Sequence, residues 1–202
     1  MKKGFTLVEL LISIALMTII GTVTVAMIST VLRSSKNTTL AGDIRQSGNY
    51  VLEQISDTAR YATQFKMGNA DNLGSLDPGD ATTYTQDCST PVTSQSIAFT
   101  TSADDKERIF YCDATAHTIS YQLTTDLNYS PDGFSSLIDT SAVTVPSSSC
   151  SITCSQSGAG APPTIGISFN LSQVTSPGVT PLPENNVNLQ FSTSTLMRNI
   201  NN

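Results

Sequence analysis

The sequence has no tryptophan, one histidine (His117) and no proline before Pro78. Only 13% of its 202 residues are charged and 6% are aromatic. Each shortage removes a class of function. One histidine is a thin basis for metal or triad chemistry, which draws its ligands and bases mainly from imidazole. Ten Lys and Arg against sixteen Asp and Glu give a net charge of -6. A nucleic-acid binder needs the opposite balance, or at least a basic stripe, and no nucleic-acid contact is expected. There is one long apolar run, so a many-pass membrane protein is excluded. No nucleophile-base set or phosphate loop is found, so the reading is not an enzyme, with no cofactor.

What is present is unevenly placed. Residues 5–32 contain 19 apolar residues in 28 positions and a single charge, Glu9. From Arg33 onward the count is 58 in 170. Ser and Thr together make 55 residues, more than a quarter of the chain. Leu, Ile, Val and Phe fall to 34 of those last 170 positions, at the threshold for disorder. Regular alternation in that region argues for a folded head.

The chain opens MKKGFTLVELLISIALMTIIGTVTVAMISTVL. A secretory signal has an apolar core of 7–15 residues and a small-residue cleavage site. This run is about twice that long. At 1.5 Å per residue it spans about 42 Å, enough to cross a bilayer with tilt. A plain anchor leaves Glu9 unexplained, because a carboxylate at the centre of a bilayer costs roughly 3 kcal/mol. Hydration of Glu9 near the interface is the plain alternative. Gly21, among Thr18, Thr22 and Thr24, is either a tolerated glycine or a mark of close helix packing or local melting.

The string KKG-FTLVEL resembles the leader and processing site of type IV pilins and pseudopilins. The resemblance is close to about Leu32 and looser to Phe65. It implies that residues 1–4 are a leader, cut after Gly4 by a prepilin peptidase that then methylates the new N-terminus, Phe5. It also implies that Glu9 guides assembly by pairing with the N-terminal amine of a neighbouring subunit. Physical chemistry is compatible with this. Cleavage creates an α-amino group of pKa near ~8, and a buried carboxylate needs an opposite charge. Glu9 and Phe5 also share one helix face, so pairing within one chain is conceivable.

Apolar or small residues at Leu40, Ile44, Gly48, Val51, Ile55, Ala59 and Ala62 follow steps of three and four. Helix is therefore expected from Phe5 to about Phe65, roughly 90 Å if straight. Residues 5–32 are read as a transmembrane and assembly helix and residues 33–66 as its amphipathic continuation. Residues 67–202 are read as a β-rich globular head. A turn-rich loop is expected after Lys66. Alternating runs at SIAFT, RIFYC and TISYQL suggest a meander, with further strands at Val143 and Val145, at 165–171, and from Val187 toward Leu196. The fold expected is α+β, with one antiparallel sheet laying a buried face on the amphipathic helix. This layout, ending near Arg198-Asn199, resembles minor pilins and the J-type pseudopilins of type II secretion.

Cys88, Cys112, Cys150 and Cys154 all fall outside the apolar run. An even count there favours disulfides over zinc. Three pairings can be drawn, of which Cys88–Cys112 with Cys150–Cys154 is preferred. That preference fails if residues 150–154 form a straight strand, because their ends would then stand about 13 Å apart. The acids at Asp71, Asp77, Asp80, Asp87, Asp104 and Asp105 lack a compact metal spacing and read as solvated loop charges. His117 reads as a surface residue. Three Asn-x-Ser/Thr matches, at Asn37, Asn128 and Asn170, arise readily at this Ser/Thr content.

The function expected is a structural, minor subunit of a type IV pilus or of a type II secretion or competence pseudopilus. The alternative is a tip adhesin or binding module of such a filament. Expected partners are other pilin or pseudopilin subunits, the prepilin peptidase/methylase and an inner-membrane assembly platform. The precursor is expected in the cytoplasmic membrane with its head outside, and the assembled form in a periplasmic or extracellular filament.

Overall fold

The computed structural model describes residues 6–68, 84–85, 88–101, 106–124, 133–158, 161–174 and 187–198. The chain divides into two compact units, Met1–Gly42 and Asp43–Asn202. The first unit is helical from Leu7 onward. Helix α1 runs Leu7–Tyr61 and so continues into the second unit. With no proline before Pro78, nothing in this stretch withdraws a backbone donor from the ladder.

The second unit buries one stripe of α1: Ile44, Gly48, Val51, Ile55 and Ala59. These are residues of the three-four spacing seen in the sequence. The helix stops earlier than expected, at Tyr61, and strand β1 (Ala62–Gly68) follows with no intervening loop. The spacing misled for a definite reason. Ala62 and Phe65 are three apart and both buried, as on a helix. Here a register shift between Ala62 and Gln64 inserts Thr63 as a bulge, which returns Phe65 to the inner face. Phe65 and Met67 then alternate as in any strand. Strand β1 therefore carries the chain past Lys66 to Gly68, and the loop expected beyond it lies outside the described residues.

The single expected sheet is instead two, both antiparallel. The first contains β1, β2 (Tyr84–Thr85), β4 (Ser96–Thr101), β5 (Glu107–Asp113), β6 (Thr118–Thr124) and β7 (Ser135–Ser136), in the order β2-β1-β4-β5-β6-β7. The second contains β3 (Val92–Ser94), β9 (Ser151–Ser155), β10 (Thr164–Gln173) and β11 (Asn188–Leu196), in the order β11-β10-β9-β3, with β8 (Val143–Thr144) also on β10. The meander of SIAFT, RIFYC and TISYQL is present as β4, β5 and β6. The four-step alternation from Ile165 to Leu171 is β10, and β11 does extend to Leu196.

One core joins the helix stripe to the inner faces of both sheets. On the first sheet, cross-strand neighbours build an aromatic ladder, with Phe110 directly opposite Tyr121 and diagonal to Phe99. Phe99 meets Phe110 edge-on at 6.1 Å between centroids, and Phe110 meets Tyr121 at 5.2 Å. On the second, Phe169 stacks on Phe191 at 5.4 Å, and Phe191 lies against Gly48 of α1. A Cβ at position 48 would fall onto the Phe191 ring, so glycine sets the approach of helix and sheet there. The α+β class, with a long N-terminal helix and antiparallel sheets, is the one expected.

The preferred disulfide pairing is overturned. Cys88 pairs with Cys154 (Cα–Cα 5.6 Å) and Cys112 with Cys150 (5.8 Å). The reason is the strand condition stated above. Residues 151–155 form β9, so Cys150 and Cys154 sit at either end of an extended segment, both buried on one face. Each reaches a different neighbour. Cys112–Cys150 ties β5 of the first sheet to the entry of β9 in the second. Cys88–Cys154 pins the approach to β3 onto β9.

Candidate functional site

The residues that the sequence singles out for processing, Gly4 and Phe5, lie outside the described residues. The described site begins at Thr6. Its Oγ1 accepts a hydrogen bond from the Glu9 backbone N–H at 3.3 Å, which makes Thr6 the cap of α1 and Glu9 the third residue of the helix. Thr-x-x-Glu is the spacing of a capping box. An acid in the first turn also faces the positive end of the helix dipole, worth about 0.3–1 kcal/mol. Glu9 is thus placed by local helix chemistry as well as by any partner charge, a role the sequence reading missed although the spacing was there to be read.

Beyond Glu9 the apolar surface has no single face. Exposure of the large aliphatics ranges from 49% at Val23 to 78% at Met17, with neighbours Leu10, Leu11 and Ile12 all more than half exposed. In the most apolar stretch of α1 no residue is buried within the chain. The polar residues of this stretch bond inward. Ser13, Thr18, Thr22, Thr24, Ser29 and Thr30 each donate a hydroxyl to a carbonyl three or four residues earlier, at 2.8–2.9 Å. Hydroxyls satisfied on their own helix carry little cost in an apolar solvent. Gly21 has open space around it, so no contact within the chain explains it.

Two grooves are formed by described residues of the head. One, of about 770 Å³, is lined by Asp43, Tyr50 and Glu53 of α1 and by Leu137, Asp139 and Ala142 among others. Ser141 donates to the Asp139 carboxylate from its hydroxyl at 2.6 Å and its backbone N–H at 3.0 Å. The hydroxyl bond first, then the backbone bond, hold this carboxyl below the usual aspartate range. Three acids make this groove hospitable to cationic or donor groups. The second groove, of about 530 Å³, is lined by Arg60, Tyr61, Ser194, Thr195, Leu196 and Arg198.

His117 is exposed, closing the β5–β6 hairpin in a left-handed conformation (φ 54°). Its carbonyl accepts the Val145 N–H at 2.8 Å, so its contribution is to the backbone. The Asp113 carboxylate accepts from the Thr115 and Ala116 N–H groups and shapes the same turn. Burial, and then the Asp113 charge, push the Tyr111 phenol upward. Among the described residues no group of three or more His, Cys, Asp or Glu is placed to hold a metal ion. Arg198 is described and Asn199 is not; Asn128 and the loop acids named above also lie outside the described residues.

Residues 1–25 match the family model of a prokaryotic N-terminal methylation motif. No curated protein and no solved structure matches the chain. The matched segment contains Gly4, Phe5, Thr6 and Glu9 and includes the first part of the exposed apolar helix, whose continuation lies on antiparallel sheets. In this motif and this layout the chain resembles the type IV pilins and pseudopilins.

Proposed function

We propose that this chain is a minor subunit of a type IV filament, a pilus or a secretion or competence pseudopilus. In this reading its precursor is anchored in the cytoplasmic membrane with the head outside. The prepilin peptidase cuts after Gly4 and methylates Phe5. The assembly platform then transfers the helix from lipid to a bundle of neighbouring subunits. Filament assembly is a structural role without a reaction of its own.

The observation that carries the proposal is the exposed apolar helix that begins within the methylation motif. Sixteen large aliphatic side chains between Leu7 and Leu32 are exposed. Leaving them in water would cost on the order of tens of kcal/mol. They require lipid or other helices on every side. The pattern fits both solvents, since the inward-bonded hydroxyls spare the helix unsatisfied groups in either. The minor role is supported by a large head of two sheets and two disulfides.

Mass spectrometry of the mature N-terminus is the first test. It should begin at a methylated Phe5; an intact Met1, or a cut after Ala26, would sink the proposal. Glu9 is tested by two substitutions. Both Glu9→Ala and Glu9→Gln should insert normally and fail to assemble if its charge pairs with an amine. Glutamine keeps the capping geometry. Normal incorporation of Glu9→Gln would therefore reduce Glu9 to a helix cap. Low abundance in sheared filaments is expected for a minor subunit.

A further inference from the structure

The two sheets end very differently at their edges. The first sheet is bounded by β2 and β7, two residues each, and one side of the second by the three-residue β3. Such short edges offer little to a foreign strand. The other side of the second sheet is β11, nine residues long and at the edge among the described residues. It pairs with β10 over nine consecutive positions without a register shift, so no bulge twists it away. It contains no charged residue and no proline. Charge, proline and bulge, three of the devices that blunt an edge strand, are all missing from β11.

The backbone direction along this edge follows from two hydrogen bonds. The Met197 N–H donates to the Pro163 carbonyl, and the Val187 carbonyl accepts from the Gln173 N–H, so the odd-numbered residues face β10. In an antiparallel ladder the direction alternates residue by residue. Asn188, Gln190, Ser192, Ser194 and Leu196 therefore turn their N–H and C=O groups to the open side. Their side chains are exposed as well. At the C-terminal end of this edge lies the groove of Arg60, Tyr61 and Arg198, two cations in an otherwise acidic chain. The Asp57 carboxylate stands 3.9 Å from Arg60 with both side chains more than half exposed, a weak pairing that leaves the groove cationic.

We infer that β11 is a docking edge that takes an extended segment of a partner protein as an added antiparallel strand, with acidic residues at that segment's N-terminal end seated between Arg60 and Arg198. Main-chain bonds to the five outward positions supply affinity, and the arginine groove supplies direction and choice. The charge argues for a different protein over a second copy. Two β11 strands paired antiparallel would set each arginine end beside the other's Asn188 end, and β11 itself brings no acid there. This inference concerns the head and stands apart from the filament reading, since strand addition is read whether or not Gly4 is processed.

The experiment uses the full chain in detergent micelles and two N-acetylated ten-residue peptides of alternating threonine and valine. One begins with two aspartates and its twin with two lysines. The aspartate peptide should slow amide exchange at Gln190, Ser192 and Ser194. It should bind about fivefold more tightly than the lysine twin, the size expected of two exposed ion pairs. Arg198→Glu should narrow or invert that preference. Ser192→Pro removes an outward donor only, so it should abolish the protection while Phe191 and Thr193 stay protected. If that variant fails to fold, the pair Ser192→Lys and Ser194→Lys should do the same by guarding the edge. Absence of protection with either peptide would overturn the inference. Equal binding of the twins would overturn its charged end. Protection that rises with protein concentration alone would replace the partner with a second copy.

Discussion

Two parts of one helix meet their surroundings in opposite ways. Residues 7–32 of α1 expose aliphatics on every face, whereas residues 43–61 bury a single stripe, with half-buried flanks such as Leu52 and an exposed outer face. The backbone is the same and so is the hydrogen-bond ladder. The difference lies in which side chains recur, and at what period. Apolar residues all round describe a helix whose solvent comes from outside the chain. A stripe at steps of three and four describes one whose solvent is its own head. It follows that the head's stability should be insensitive to changes in the first stretch and sensitive to changes in the second.

The largest expected effect tests whether the head is a stable unit in its own right. The Cys88–Cys154 bridge spans 66 residues and the Cys112–Cys150 bridge spans 38. Chain-entropy estimates give each about 4 kcal/mol, slightly more for the longer loop. Replacing Cys88 and Cys154 by serine should therefore lower head stability by about 4 kcal/mol in urea titrations followed by tyrosine fluorescence. Helical circular dichroism from residues 7–32 in micelles should persist through that transition. Peptide mapping without reductant should recover Cys88 joined to Cys154, and a fragment joining Cys150 to Cys154 would contradict the architecture.

A smaller effect compares matched substitutions in the two stretches. Ile55 is 2% exposed, and Ile55→Ala should cost the head about 3 kcal/mol. Ile14 is 54% exposed, and Ile14→Ala should change head stability by less than about 0.5 kcal/mol. The two glycines sharpen the contrast. Gly48→Leu drives a side chain into Phe191 and should cost about 1–3 kcal/mol. Gly21→Leu meets open space and should leave head unfolding unchanged. If Gly21→Leu also assembles normally, close packing of helices at that position falls as an explanation.

Local pattern was legible in the sequence where one element decides its own shape. The helix stripe, β4 to β6 and β10 all follow from residue spacing, because each has one buried face and a regular period. What escaped depends on partners far along the chain. The Thr63 bulge let β1 imitate a helix, since Ala62 and Phe65 fit either period. Ile152 and Cys154 alternate in β9, but this short Ser/Thr-rich strand is stable only between β10 and β3. Missing β9 concealed the second sheet and, with it, the cysteine pairing. At the N-terminus the processing motif was legible because it is a linear signal, while the cap formed by Thr6 lay inside it unread. The two grooves combine α1 with segments from Leu137 to Arg198, an assembly of distant residues that no local spacing announces.

The smallest effect lies in the acidic groove, and it is one of proton binding. Two bonds from Ser141 hold the Asp139 carboxyl below its ordinary range. A depressed folded-state pKa means that the unfolded chain binds the proton more readily. The associated stabilisation is present above the ordinary aspartate pKa, near ~3.9, and is lost as pH falls through the lower folded value. Ser141→Ala removes the larger of the two bonds and leaves the backbone one. The Asp139 carboxyl carbon should then titrate at higher pH, partway back to the ordinary range, in NMR spectra of the full chain in micelles. Because the group is open to water, urea midpoints at pH 7 should barely move. A titration unchanged by Ser141→Ala would show that the backbone N–H alone holds the carboxylate. A large loss of stability at pH 7 would instead show that the turn from Asp139 to Ala142 supports the core through Val143.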